Sequence, residues 1–274
     1  MTLHLYPKVE HDSSEWHDLR RGIVTASVVS SLLTYRSLTG LDFACPACGT
    51  QAQSPCVSKR AGSDAPIKTL HPERTAVSAA DTTPPLIEPA ANPESRALTA
   101  LLVSERITGW THDNYVSFDM QRGHDDEPRA IKVYSEHWTN VTTCGFMVRD
   151  DWGFRIGYSP DGLSGDDGCI EIKSRAPKKH LQTVLANEVP AENMAQIQCG
   201  LLVSGREWCD YVSYSGGLAL WVKRVYPDPR WQEAIVTAVA AFEEAAERMT
   251  ADYTEAVTGL PPTERTPDYS DIRF

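Results

Sequence analysis

The sequence predicts an α/β (α+β) fold with a small metal-binding insertion, and three observations carry that reading. Short apolar runs bounded by turn residues recur between Cys144 and Tyr226, as strands of a sheet do. Runs with three-to-four spacing flank them at Arg96–Thr108, Gly123–Trp138, Pro190–Ser204 and from Pro229 to about Val257, as amphipathic helices do. Between Asp42 and Arg74 lie three cysteines and a histidine with almost no apolar residues; such a segment needs a metal to fold.

The chain has 274 residues, 41% of them hydrophobic, enough for one large domain or a core domain carrying an insertion. No stretch approaches the roughly 20 apolar residues of a membrane span, and the N-terminus, MTLHLYPKVEHDSSEW, lacks a charged-then-apolar signal pattern. We therefore expect a cytoplasmic protein with no membrane partner. Seven cysteines, three of them between Cys45 and Cys56, suit metal binding in a reducing compartment better than a disulfide framework. A net charge of −11 argues against coating nucleic acid by bulk electrostatics. It leaves room for a nuclease with a local basic surface, and KSRAPKKH (Lys173 to His180) is such a cluster; the alternative is a solvated basic loop.

Taken in order, Glu15–Leu33 begins with Trp16, Arg20 and Arg21 and continues into small and apolar residues. Thr25 or Ser27 is expected to cap a helix with Val28, Val29, Leu32 and Leu33 on its inner stripe. A helix N-terminus beside two arginines makes a phosphate site; the alternative is an ordinary capped helix with surface arginines. Cys45, Cys48, Cys56 and His71 then follow the pattern C-x2-C-x7-C-x14-H, opening with the CPxCG knuckle of a zinc ribbon. We expect these four to hold a structural Zn²⁺. Ala79–Ser95 is rich in Pro and Ala without periodicity and reads as a linker.

In Gly123–Trp138, Pro128 is acceptable in a helix's first turn, which predicts a start near Asp125 or Asp126. Glu127 then shares a stripe with Ile131, Tyr134 and Trp138. An inward carboxylate there needs a partner or a metal; the alternative is an acid favoured by the helix dipole.

The chemistry converges on GYSPDGLSGDDGCIEIKS, Gly157 to Ser174. Alternation along a strand points Glu171 and Lys173 one way and Ile170 and Ile172 the other. The intervening turn can return Asp161 to the side of Glu171. Two carboxylates and an ammonium at one point are what a Mg²⁺-assisted phosphodiester hydrolase requires.

SPDGL, then E-x-K after a short turn, NMAQIQ on the next helix, G-x-x-x-E upstream and EWHDLRRGIVTAS near the N-terminus together resemble the lambda exonuclease or YqaJ-type viral recombinases of the PD-(D/E)xK nuclease superfamily. The resemblance implies a restriction-endonuclease-like core, a central mixed sheet flanked by helices. It implies Mg²⁺ (or Mn²⁺) held by Asp161, Glu171, the Ile172 carbonyl and Glu127, with Lys173 activating or orienting the attacking water and Gln196 positioning water or lysine. Arg20, with Ser27 nearby, stands where the family binds a 5′-terminal phosphate; Arg21, Arg175, Lys178 and Lys179 complete the expected DNA-binding set. Family members digest one strand of duplex DNA from the 5′ end, the best known as toroidal trimers, and work with a single-strand annealing protein. On this basis residues 1–40 and 96–258 form the nuclease core, 41–78 the zinc insertion, 79–95 the linker and 259–274 a polar tail. The insertion departs from the lambda-type core and puts the ring in doubt.

Other readings are a site- or structure-specific endonuclease of the same fold, a RecB-like iron–sulfur nuclease, and a catalytically silent zinc-containing DNA-binding module. Cys199 and Cys209 lack the tight cysteine triplet that the iron–sulfur reading requires. The Asp161, Glu171, Lys173 set argues against the silent module, because a clustered charge is costly to keep.

Overall fold

The structure, a computed structural model, describes residues 2–60, 64–111 and 117–264. Strand β1 (Leu3–Tyr6) is followed by helix α1 (Ser14–Arg20), whose first turn is capped by the Ser13 hydroxyl accepting from the Trp16 N–H. Next come β2 (Val24–Thr25), a single 3-10 turn at Val29–Leu32 and β3 (Leu33–Arg36). The helix expected to start at Thr25 or Ser27 does not form. Val24, Thr25, Val28 and Val29 are β-branched and lose rotamer freedom in a helix, and Val24 and Thr25 instead pair in parallel with Ile156 and Gly157. The two arginines thus sit at the C-terminal end of α1, and no helix N-terminus is available there to bind phosphate.

The inserted segment carries α2 (Pro72–Ala80) and returns through β4 (Leu86–Pro89). β4 pairs antiparallel with β3 from Leu33↔Pro89 to Arg36↔Leu86, making a two-stranded stalk for the module. Residues 79–95, expected as an unpatterned linker, therefore hold the end of α2, all of β4 and the first turn of α3 (Pro93–Thr108). A four-residue strand ending in proline is too short to show alternation; its pairing partner, distant in sequence, makes it a strand.

Helix α4 (Phe118–His137) begins seven or eight residues earlier than expected, and Pro128 lies inside it. Ser117 caps it by accepting from the Met120 N–H, and Pro128 is exposed, so the carbonyl that it leaves unbonded faces water. Its buried stripe is Asp126, Ala130 and Tyr134; Trp138, expected inside, is 49% exposed. Strands β5 (Val141–Thr142), β6 (Phe146–Arg149), β7 (Ile156–Tyr158), β8 (Gly162–Ser164) and β9 (Gly168–Ser174) follow, then α5 (Pro177–Ala186), α6 (Ala191–Ser204), β10 (Trp208–Tyr214), β11 (Trp221–Val225) and α7 (Pro229–Ala256).

The strands form two mixed sheets, β1-β6-β7-β2 and β11-β10-β9-β8-β5, besides the stalk. In the second, β9 is central, parallel to β10 and antiparallel to β8. Its two faces are covered differently. Ile170 and Ile172 pack with Ala130 and Tyr134 of α4, while Cys169 packs with Ile197 and Leu201 of α6. The largest apolar cluster joins α3, α6 and α7, with Leu102, Cys199, Ile235 and Phe242, to Met147 and Ile156 of the first sheet. No helix among the described residues is long and apolar enough to cross a membrane.

Candidate active site and zinc module

The β8–β9 register pairs Gly162 with Ile170, so the next step of the ladder places Asp161 opposite Glu171. An Asp161 Oδ2 at 2.6 Å accepts the Ile172 N–H, which pins the aspartate to β9. On the same face as Glu171, Lys173 Nζ donates to Glu171 Oε1 at 2.7 Å and to Gln196 Oε1 of α6 at 3.0 Å. Asp161, Glu171, Lys173 and Gln196 are thereby brought to one point. Glu127 reaches the same cluster from α4. Burial raises its carboxyl above the ordinary value, and the Glu171 charge adds to this while His124 and Lys173 oppose it.

Electrostatically the cluster is unbalanced. Burial and the facing charge of Glu171 push the Asp161 carboxyl well above the usual carboxylate range. Burial pulls Lys173 down, but the charges of Glu171 and Asp161 outweigh it and hold the ammonium above its ordinary value. Glu171 is 1% exposed, and its Oε2 is buried with no hydrogen-bond partner. A buried carboxylate oxygen left without a donor is costly, and facing carboxylates repel. A hard divalent cation, which takes carboxylate and carbonyl oxygens, relieves both and fits this donor set.

The N-terminal arginines lie on α1. The Arg20 guanidinium stacks on the Trp16 ring at 4.1 Å, and burial lowers its pKa while Glu105 and Asp12 oppose that. Trp16 Nε1 in turn donates to Ser159 Oγ at 3.4 Å, two residues before Asp161, so the arginine platform abuts the strand that carries the acid. Arg21 is paired with Asp18. Ser27 is exposed, its Oγ 3.0 Å from that of Thr25. The basic run is not a loop but the start of α5, with Pro177 in its first turn. Lys178 and Lys179 are exposed there, whereas Arg175 turns inward to Asn193, Tyr211 and Glu192 at 3.1–3.2 Å.

In the insertion, one ligand atom from each of Cys45, Cys48, Cys56 and His71 lies within 4.8 Å of the others, with Cys45 Sγ 3.4 Å from His71 Nδ1. Tetrahedral zinc with bonds of about 2.3 Å to sulfur sets its ligands about 3.8 Å apart, so the four fit Zn²⁺. A hydrogen bond with the Thr50 hydroxyl helps pull the Cys48 thiol down to about 5. Arg74 is fully buried and donates to the carbonyls of Phe43, Ser54, Leu41 and Gln51, holding together a segment with little apolar core.

Residues 86–207 match the model of the YqaJ-like viral recombinase domain. Residues 11–92 match a second family, described as "Putative DNA-binding phage zinc finger domain". Among solved structures, an alkaline exonuclease from Laribacter hongkongensis is 25% identical, with a TM-score of 0.63 over 91% of this chain and 100% of that one. The same enzyme in complex with dAMP is 24% identical at a TM-score of 0.64, with the same coverage. No curated protein matches the chain. The chain is thus similar in fold to that alkaline exonuclease and, over residues 86–207, to the YqaJ-like model.

The segment that matches the YqaJ-like model contains Glu127, Asp161, Glu171, Lys173 and Gln196, whereas Arg20, Cys45, Cys48, Cys56 and His71 fall within the zinc-finger match. The two matches overlap at β4, the return strand of the stalk. Sequence reasoning missed the bond network that anchors α4 to the end of β9: Ser174 Oγ donates to Asp126 Oδ2 at 2.7 Å and Arg122 Nε to Ser174 Oγ at 3.1 Å. The signal available was Asp126 itself, an acid on the inward stripe next to Glu127. Gly200 lies buried in α6. An added Cβ there would lie 2.7 Å from Tyr158 Cζ, so glycine is what lets α6 approach the strand before Asp161.

Proposed function

We propose that the protein is a Mg²⁺-dependent (or Mn²⁺-dependent) 5′-to-3′ exodeoxyribonuclease that acts on linear duplex DNA ends and leaves 3′ single-stranded tails for phage-type recombination. The observation that carries this is the convergence of Asp161, Glu171 and Lys173 around a buried carboxylate oxygen without a partner. Asp161, Glu171, Glu127 and the Ile172 carbonyl would hold the cation. When bound, it supplies charge to the phosphoryl oxygens and lowers the pKa of water. Lys173, fixed by Glu171 and Gln196, orients the attacking water in line with the phosphate. Arg20 holds the 5′-phosphate of the end with Ser27 nearby, and Arg21, Lys178 and Lys179 add positive charge for the strand; Arg175 serves through its bonds to α6 and β10. The structural Zn²⁺ site orders a module that contacts DNA. The crystallisation of the L. hongkongensis alkaline exonuclease with dAMP, a mononucleotide, supports an exonucleolytic product. The resemblance extends the proposal to a ring of three copies, a single-strand annealing partner and a cytoplasmic setting.

The deciding measurement is incubation with Mg²⁺ and 5′-labelled linear duplex beside covalently closed circles. Linear DNA is expected to release labelled mononucleotide first, with circles untouched. Cutting of circles would instead make the protein an endonuclease of the same fold, and inertness with both Mg²⁺ and Mn²⁺ would make it a DNA-binding module. For direction, 5′-phosphorylated ends are expected to be digested faster than 5′-hydroxyl ends, and Arg20→Ala to erase the difference; equal wild-type rates would remove the phosphate pocket from the proposal.

A further inference from the structure

Arg20 is the first residue of a turn that is gripped from behind. The turn closes through the Ile23 N–H donating to the Arg20 carbonyl at 3.3 Å, and its central residue, Gly22, has φ +66°, a conformation that disfavours side chains. Two consecutive residues of α3 hold both polar groups of Gly22. The buried Glu105 accepts the Gly22 N–H at 2.8 Å, and Arg106 Nε donates to the Gly22 carbonyl at 2.6 Å. Arg106 is itself fixed by a two-pronged pair with Glu243 of α7 at 2.7 and 2.8 Å, and its guanidinium lies 5.2 Å from the Phe242 ring. The approach is close enough to exclude a side chain: a Cβ on Gly22 would lie 2.5 Å from Arg106 Cγ.

We propose that Glu105 and Arg106 are positioning residues for DNA-end recognition, clamping Gly22 so that Arg20 is held at the distance and angle that a terminal phosphate requires. This rests on the reading of Arg20 as the 5′-phosphate ligand. The physical reason is that a planar guanidinium recognises phosphate through directed donors, so its value depends on a fixed orientation. Among the described residues the Arg20 guanidinium stacks on Trp16 and makes no hydrogen bond, so its direction depends on where the turn's backbone holds it. The backbone behind it must then supply the remaining constraint. Each clamp bond is to main chain, so it acts on the position of the turn rather than on the substrate. Burial lowers the Arg20 pKa, and the Glu105 charge partly opposes this.

The test compares kcat/KM on linear duplex with 5′-phosphate and 5′-hydroxyl ends for wild type, Arg106→Met, Glu105→Leu and Glu105→Gln, each checked for folding by circular dichroism. Arg106→Met and Glu105→Leu are expected to reduce the phosphate preference on the order of tenfold, through KM for phosphorylated ends, with cutting of hydroxyl ends unchanged. Glu105→Gln keeps an acceptor for the Gly22 N–H and is expected to keep the preference; should Glu105→Leu not fold, Arg106→Met and Glu105→Gln still decide. Folded Arg106→Met or Glu105→Leu that loses rate equally on both ends, or that retains the wild-type preference, overturns the clamp while leaving Arg20 in place. A wild type without preference overturns the Arg20 reading and the clamp with it.

Discussion

Asp161→Asn is expected to lower DNA digestion by ~10³-fold, the scale at which a single precisely aimed charge-stabilising group acts in an active site, without lowering thermal stability in metal-free buffer. The two halves of this result have one cause. Asp161 faces Glu171 across the β8–β9 ladder, and burial and that like charge already oppose its ionisation; an amide removes the repulsion and keeps an oxygen to accept the Ile172 N–H now bonded at 2.6 Å. The wild type, in contrast, gains from a cation that its variant cannot hold. Added Mg²⁺ is therefore expected to raise the melting temperature of the wild type and not that of Asp161→Asn. Lys173→Ala should lose activity to a similar degree, since its Nζ is fixed to both Glu171 and Gln196. Full activity in either variant would show that the acid cluster is not where the phosphodiester is cut.

Removing zinc is the second large effect. Cys56→Ser, or chelation of the wild type, is expected to unfold residues 41–78 while the rest keeps its secondary structure. Structural zinc contributes about 10–16 kcal/mol in small modules of this kind, and this segment has little else: two of its ligands, Cys45 and Cys56, are at most 1% exposed, and much of its polar backbone is gathered by Arg74 alone. The stalk survives because β3 and β4 pair with each other and Tyr35 of β3 stacks on Trp231 of α7 at 5.5 Å. Elemental analysis should find one zinc per chain, and limited proteolysis after chelation should cut only between the stalk strands. A module that stays resistant with no zinc bound would refute the structural role.

The elements legible in the sequence are those whose partners lie close by or whose period is long. β10, Trp208–Tyr214, falls among the apolar runs expected to supply strands, and its aromatic and β-branched residues suit one. In α7, Trp231, Ile235, Ala238 and Phe242 are buried as their spacing requires. The errors fall where a distant partner overrides local preference. Val24 and Thr25 become a strand because Ile156 and Gly157, far along the chain, offer them a ladder. β4 exists because β3 returns beside it. Pro128 marks a helix start only if no cap lies upstream, and Ser117 is one. Arg175 is basic in sequence but committed in space, since Asn193, Tyr211 and Glu192 all converge on it.

By itself the sequence determined the candidate set: the identity and order of Asp161, Glu171 and Lys173, the face that the last two share, and the Cys45, Cys48, Cys56 and His71 cluster. These follow from spacing within one hairpin and one short segment, where chain geometry leaves few alternatives. Only the tertiary structure decided which residues complete that set. Gln196 comes from a helix across the sheet, Glu127 from a helix anchored by Asp126 and Ser174, and the Arg20 turn is held by α3. Each of these contacts spans more than 20 residues of chain, and side-chain direction across such distances is set by packing of whole elements, which no local period encodes.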